Sequence, residues 1–165
     1  ECDGGDSRIR RDALDLLQHT RAVAELTLLL MLALASTAAE APAPIVVLPD
    51  RLTFTTPPAI PDLKTAYVLG SESQPGTYAI RVRLKAGGRV PVHTHPDTRY
   101  STVLSGTLYV GFGATTDDMH MTAVPAGAVY VAPANVPHHL WAKDGEVVYQ
   151  EAGVGPTGTK MLATP

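Results

Sequence analysis

The sequence predicts an all-β domain, a sandwich or barrel, set behind an N-terminal leader. Three observations predict it. Fourteen Gly and fourteen Pro are spread along the 165 residues rather than gathered in repeats, as expected of many short elements joined by turns. Beyond the leader, apolar and polar residues alternate with the period of a half-buried strand. No helical period is evident after residue 41.

The totals set the scale. The chain is long enough for one domain with a sizeable core, and 45% of it is apolar. A formal net charge of −3 gives no electrostatic footprint for nucleic acid, so no nucleic-acid partner is expected. The lone cysteine, Cys2, excludes an internal disulfide and a cysteine-based metal site. Site chemistry must come from His, carboxylates, Arg and Tyr.

Residues 1–39 read as a leader. A polar stretch with Arg8, Arg10, Arg11 and Arg21 is followed by an apolar run over 26–35 and small residues over 36–41. A basic region, a short apolar helix and a small-residue site are the parts of a secretory signal, with cleavage after Ala39 or Ala35. The run is shorter than the roughly 20 residues that span a bilayer. A periplasmic or secreted protein with no stable membrane span after cleavage is therefore expected. An amphipathic or buried helix at the domain's edge, or an uncleaved anchor, are the other readings.

Residues 40–61 form a Pro-rich arm with six prolines between 42 and 61, in which 45–48 is a candidate edge strand. The barrel proper is assigned to 62–165. Its strands are expected at 65–69, 78–85, 89–95, 101–104, 107–111, 119–124, 128–132, 138–142, 146–151 and 159–162. In the second, Tyr78, Ile80, Val82 and Leu84 share one face, and Arg81, Arg83 and Lys85 the other. Turn residues separate the strands, among them Gly87-Gly88, Ser105-Gly106 and Asp144-Gly145.

Three of the six histidines stand out. His93 and His95 are one residue apart on a predicted strand, so period two turns both imidazoles to one face. Such a pair suits a metal, although an H-x-H pair alone is equally a solvent or core pair. The flanks add to it: Gly87-x5-His93-Thr94-His95-x10-Gly106, then Gly127-x5-Pro133-x4-His138.

This two-part pattern resembles the paired motifs of the cupin superfamily, and the chain looks like a small single-domain bacterial cupin over residues 77–151. The resemblance implies a jelly-roll barrel, the double-stranded β-helix, with one divalent transition metal (Fe, Zn, Mn, Ni or Cu) held by His93, His95 and His138. The family's fourth ligand is a Glu seven residues before the closing glycine. Here that position is Arg99, which cannot ligate a metal. Asn135 and Ala142 also replace a Gly and an Asn of the second motif.

Three readings of Arg99 stay open. The site is a three-His centre with water in its vacant positions; or Arg99 points inward and clamps a substrate carboxylate or phosphate; or the metal is lost and Arg99 faces solvent or an internal acid. Asp97, and Tyr100 through a one-residue bulge, are weaker substitutes for the missing Glu. Arg99, Tyr100 and Tyr130 are the candidate substrate-binding residues, with Tyr130 as a polar wall. His120 and His139 read as surface or second-sheet residues, and Trp141 as lying outside the pocket. No catalytic residue is assigned.

A metal-dependent enzyme of oxygenase or isomerase type, acting on a small organic molecule, is the first functional expectation. A non-catalytic module for a metal or small ligand, and a metal-free structural domain, are the alternatives. The resemblance also implies a homodimer.

Overall fold

A computed structural model describes residues 20–21 and 43–163. The apolar run and cleavage sites of the leader, and Cys2, lie outside the described residues. From Val46 onward the described residues form one unit. No helix among the described residues is long and apolar enough to cross a membrane.

The unit contains ten strands: β1 (Leu63–Leu69), β2 (Gly76–Leu84), β3 (Arg89–Thr94), β4 (Arg99–Ser105), β5 (Thr107–Phe112), β6 (Thr122–Pro125), β7 (Val129–Ala132), β8 (His138–Trp141), β9 (Val147–Gly155) and β10 (Lys160–Met161). They build two five-stranded antiparallel sheets, ordered β1-β2-β9-β4-β7 and β10-β3-β8-β5-β6. After β2 the chain passes repeatedly from one sheet to the other, which is a jelly-roll winding. The inward rows of both sheets meet in one core, with Leu84, Val103, Leu108 and Val147 all fully buried.

Alternation accounts for most of this. In β2, Tyr78, Ile80, Val82 and Leu84 are buried, while Arg81 and Arg83 lie on the other face. The two motif segments end in turns whose backbone explains their composition. Gly106 has φ +77°, and an added Cβ would lie 2.5 Å from the Glu146 carbonyl oxygen. Asn135, at the family's glycine position, has φ 61°, a left-handed conformation that Asn tolerates better than most residues. The motif's departure there is conformationally conservative.

Three expectations are corrected. Residues 45–48 form no strand; a short 3₁₀ turn, Pro49–Arg51, follows them, and the arm instead meets the sheet through an isolated bridge between Thr55 and Thr65. The strand expected at 119–124 begins only at Thr122, because Asp117 folds the preceding loop, accepting from the Met119 N–H and pairing with His120. The last long strand runs on to Gly155, pairing along the full length of β2.

Candidate metal centre

His93 and His138 sit directly opposite one another in the β3–β8 pair. Strict alternation along β3 from Val90, which lies in the core, would have turned His93 away. The register shifts between Val90 and His93 and leaves Val92 and His93 buried in succession. A bulge of this kind re-aims a side chain, and here it delivers His93 and then His95 to the interior.

The three imidazoles converge. Ring centroids are 4.8 Å apart for His93–His95, 4.2 Å for His93–His138 and 5.3 Å for His95–His138. One ligand atom from each lies within 4.8 Å of the others. Each Nδ1 faces a backbone carbonyl: Pro91 at 2.8 Å, Gly158 at 3.0 Å and Val136 at 3.1 Å. A carbonyl oxygen only accepts, so each ring must carry its proton on Nδ1 and present Nε2 as a bare lone pair. Nε2 of His95 and of His138 is buried with no hydrogen-bond partner. Burial pushes His93 and His95 down to about 3, helped at His93 by the competing imidazole of His138 and at His95 by the Arg99 charge. Burial lowers His138 as well. Neutral rings with free lone pairs are what a divalent transition metal requires, and orphaned buried nitrogens otherwise cost stability. The residues present fit the metal.

Arg99 starts β4 in phase with Ser101 and Val103, so its side chain is turned inward and is only 2% exposed. Its guanidinium is enclosed by acids. Nη1 donates to Glu151 Oε1 at 2.5 Å, Nη2 to Glu72 Oε1 at 2.6 Å and to the Gly158 carbonyl at 3.3 Å, and Nε to Asp97 Oδ1 at 3.4 Å. Burial opposes the charge, but Glu151 and Glu72 outweigh it and hold Arg99 above its ordinary value. Asp97 also accepts from the Tyr78 hydroxyl at 2.7 Å and from the Thr157 hydroxyl. These bonds and the Arg99 charge hold its carboxyl low against the opposing effect of burial.

The sequence-derived substrate residues separate. Arg99 borders a cavity of about 340 Å³ together with His93, His95, Glu72 and Glu151. Tyr100 has no bulge to bring it inward: it pairs in regular register with Val131 and faces out, 57% exposed. Tyr130 is buried in the core rather than on the cavity wall, and its hydroxyl has no hydrogen-bond partner. His139 is a further correction. It does leave the metal face, yet it is buried rather than on the surface, because the Asp117 loop covers it. His120 is exposed, and Trp141 lies outside the cavity, stacked under Arg89.

Glu151 and Glu72 were missed by sequence reasoning. A signal existed for Glu151, which falls in phase with the buried Val147 and Tyr149 of an alternating strand. Glu72 sits in the loop between β1 and β2, where no periodicity marks it.

The barrel's winding and its histidines agree with a direct comparison, in which residues 80–153 match the cupin domain family. The matched stretch is a cupin domain. Among curated proteins, germin-like protein 3-1 of Oryza sativa subsp. japonica is 34% identical over 76 residues, covering 46% of this chain and 33% of that protein. The chain thus spans about a third of the length of the curated relatives it matches. Among solved structures, the polyketide cyclase RemF from Streptomyces resistomycificus aligns with a TM-score of 0.62 at 12% identity, covering 74% of this chain and 88% of that one. An RmlC-like cupin from Shewanella frigidimarina aligns at 0.54 and 17% identity, covering 68% and 91%. Likeness at such identities carries the fold alone.

Proposed function

We propose that this cupin holds one divalent transition metal on Nε2 of His93, His95 and His138, and acts on a small organic molecule in the adjoining cavity. One observation carries the reading: each ring spends Nδ1 on a backbone carbonyl, one ligand atom of each lies within 4.8 Å of the others, and Nε2 of His95 and of His138 is buried without a partner. Three imidazoles suit Fe(II), Zn(II), Mn(II), Ni(II) or Cu(II). When bound, such an ion supplies Lewis-acid polarisation of a substrate oxygen. The chain's own residues fix the ligand tautomers, wall off water with Ile80, Val82 and Val90, and hold charged groups at the cavity's edge. The buried, unpartnered nitrogens argue against a metal-free structural barrel.

The test is metal content by mass spectrometry of protein saturated with each ion and then desalted. About one equivalent is expected for the wild type, and far less for His95→Ala. A wild type that retains no ion overturns the reading. Export rests on the apolar run and small-residue site of residues 26–41. N-terminal sequencing of protein from the producing cells should show a start just after Ala35 or Ala39, and an intact leader on cytosolic protein overturns that part.

A further inference from the structure

The cavity wall beside His95 carries more acid than base. Glu72, Arg99 and Glu151 line it together, and Asp97 backs Arg99 from the loop between β3 and β4. One guanidinium against three carboxylates leaves the group a formal charge of −2. Four of the five guanidinium N–H groups are already spent on protein acceptors. Arg99 therefore cannot form the two-pronged clamp that recognition of a carboxylate or phosphate requires. Its place in the cavity is that of a positioning residue for the acids.

The carboxylates, by contrast, keep acceptor capacity. Glu151 Oε2 receives only the Ser101 hydroxyl, at 3.3 Å, and Glu72 Oε2 only the Tyr67 hydroxyl. A second observation independently marks this as a place for a ligand: His95 is 3% exposed, lines the same cavity, and has an unpartnered Nε2. Much of the remaining wall is apolar, formed by Ile60, Leu63, Ile80, Val82, Val90 and Tyr149.

We propose that the cavity selects an uncharged or cationic small molecule, with an apolar body and a hydroxyl or amine that donates to Glu151 or Glu72, and that it rejects carboxylates and phosphates. The proposal deepens the metal-dependent reading and rests on it for where the reacting end lies, while the charge preference follows from the acids alone. An entering anion would be stripped of water beside unneutralised carboxylates, with no free guanidinium fork to receive it. A dication on the histidines would offset the −2 rather than leave a cationic site.

Benzyl alcohol, benzylamine and benzoate share one apolar body and differ in charge. Titrating each into the isotope-labelled full chain, metal-free and Co(II)-loaded, and following amide shifts by NMR, separates the possibilities. In the metal-free protein benzoate should bind at least about tenfold more weakly than benzyl alcohol, and benzylamine no more weakly than the alcohol. Glu151→Gln should narrow the benzoate gap to about threefold or less. Benzoate binding as tightly as the alcohol, or no probe shifting residues around the cavity, overturns the proposal. Failure of the metal reading registers separately, as absence of Co(II) visible absorption, and leaves the metal-free comparison intact.

Discussion

Arg99 Nη1 and Glu151 Oε1 lie 2.5 Å apart across adjacent strands of one sheet, both turned into the cavity. The contact joins β4 to β9. Through the same guanidinium it also ties in the β1–β2 loop at Glu72 and the C-terminal segment at Gly158. The cation therefore organises the mouth of the barrel, and its loss should be felt in stability first. Arg99→Met leaves Glu151 buried without a counter-charge, which typically costs about 3–5 kcal/mol. Adding Glu151→Leu removes the stranded charge and should recover part of that loss. Urea unfolding of both variants checks this, and a double variant no more stable than the single one would contradict it.

The fold was legible because its signals are local. The alternation of β2, the turn glycines and the two motif segments each identify an element without knowledge of its partner. The three histidines were legible by resemblance, but their convergence depends on the register shift between Val90 and His93. Nothing in the spacing announces that shift, and the alternation of Val90 and Val92 argues against it. Arg99 was visible as a departure from the motif, whereas its meaning depends on Glu72 and Glu151, which come from distant parts of the chain, as well as on nearby Asp97. Glu72 could not have been placed, because a loop carries no period. His139 was misread as a surface or second-sheet residue because its cover is a loop rather than a strand.

The left-handed backbone at Asn135 yields a graded prediction. Its N–H donates to the His95 carbonyl at 2.7 Å, so the turn is coupled to the site. Asn135→Gly keeps φ 61° without a Cβ penalty and should change stability by less than about 1 kcal/mol. Asn135→Val places a branched side chain in a region it avoids, at a cost of about 1–2 kcal/mol. Thermal unfolding of the pair distinguishes them, and equal losses would remove the backbone explanation.

Gly111 and His139 occupy one space. They pair across β5 and β8, and a Cβ on Gly111 would run into the imidazole. His139 is buried under the Asp117 loop, so it cannot simply swing away. Gly111→Ala should therefore cost about 1–3 kcal/mol as an overpacking change. In a His139→Ala background the obstacle is gone, and the same substitution should cost less than about 0.5 kcal/mol, a coupling that a double-mutant cycle measures directly. Additive losses would show that the clash is not what excludes a side chain there.

The buried histidines give the metal-free protein a characteristic acid sensitivity. His93 and His95 are held down to about 3 by burial, against 6.5 in the ordinary case. Between those limits the unfolded chain binds protons that the folded chain refuses. Stability is thus fully present above about pH 6.5 and is lost as pH falls toward 3. Each histidine contributes at most about 1.4 kcal/mol per pH unit within that window. The depressed carboxyl of Asp97 also favours the folded state at high pH, but its ordinary value is 3.8, so its contribution falls away only near and below pH 4. Chemical unfolding between pH 7.5 and 4.5 therefore isolates the histidines. Over that range His93 and His95 together should give a slope of about 2–3 kcal/mol per unit near pH 5, to which the lowered His138 and His139 add, and His93→Asn should remove roughly one histidine's share of the slope. A flat profile, or an unchanged slope in the variant, would mean that the rings accept protons in the folded state and are not the closed set of neutral donors that a metal centre needs.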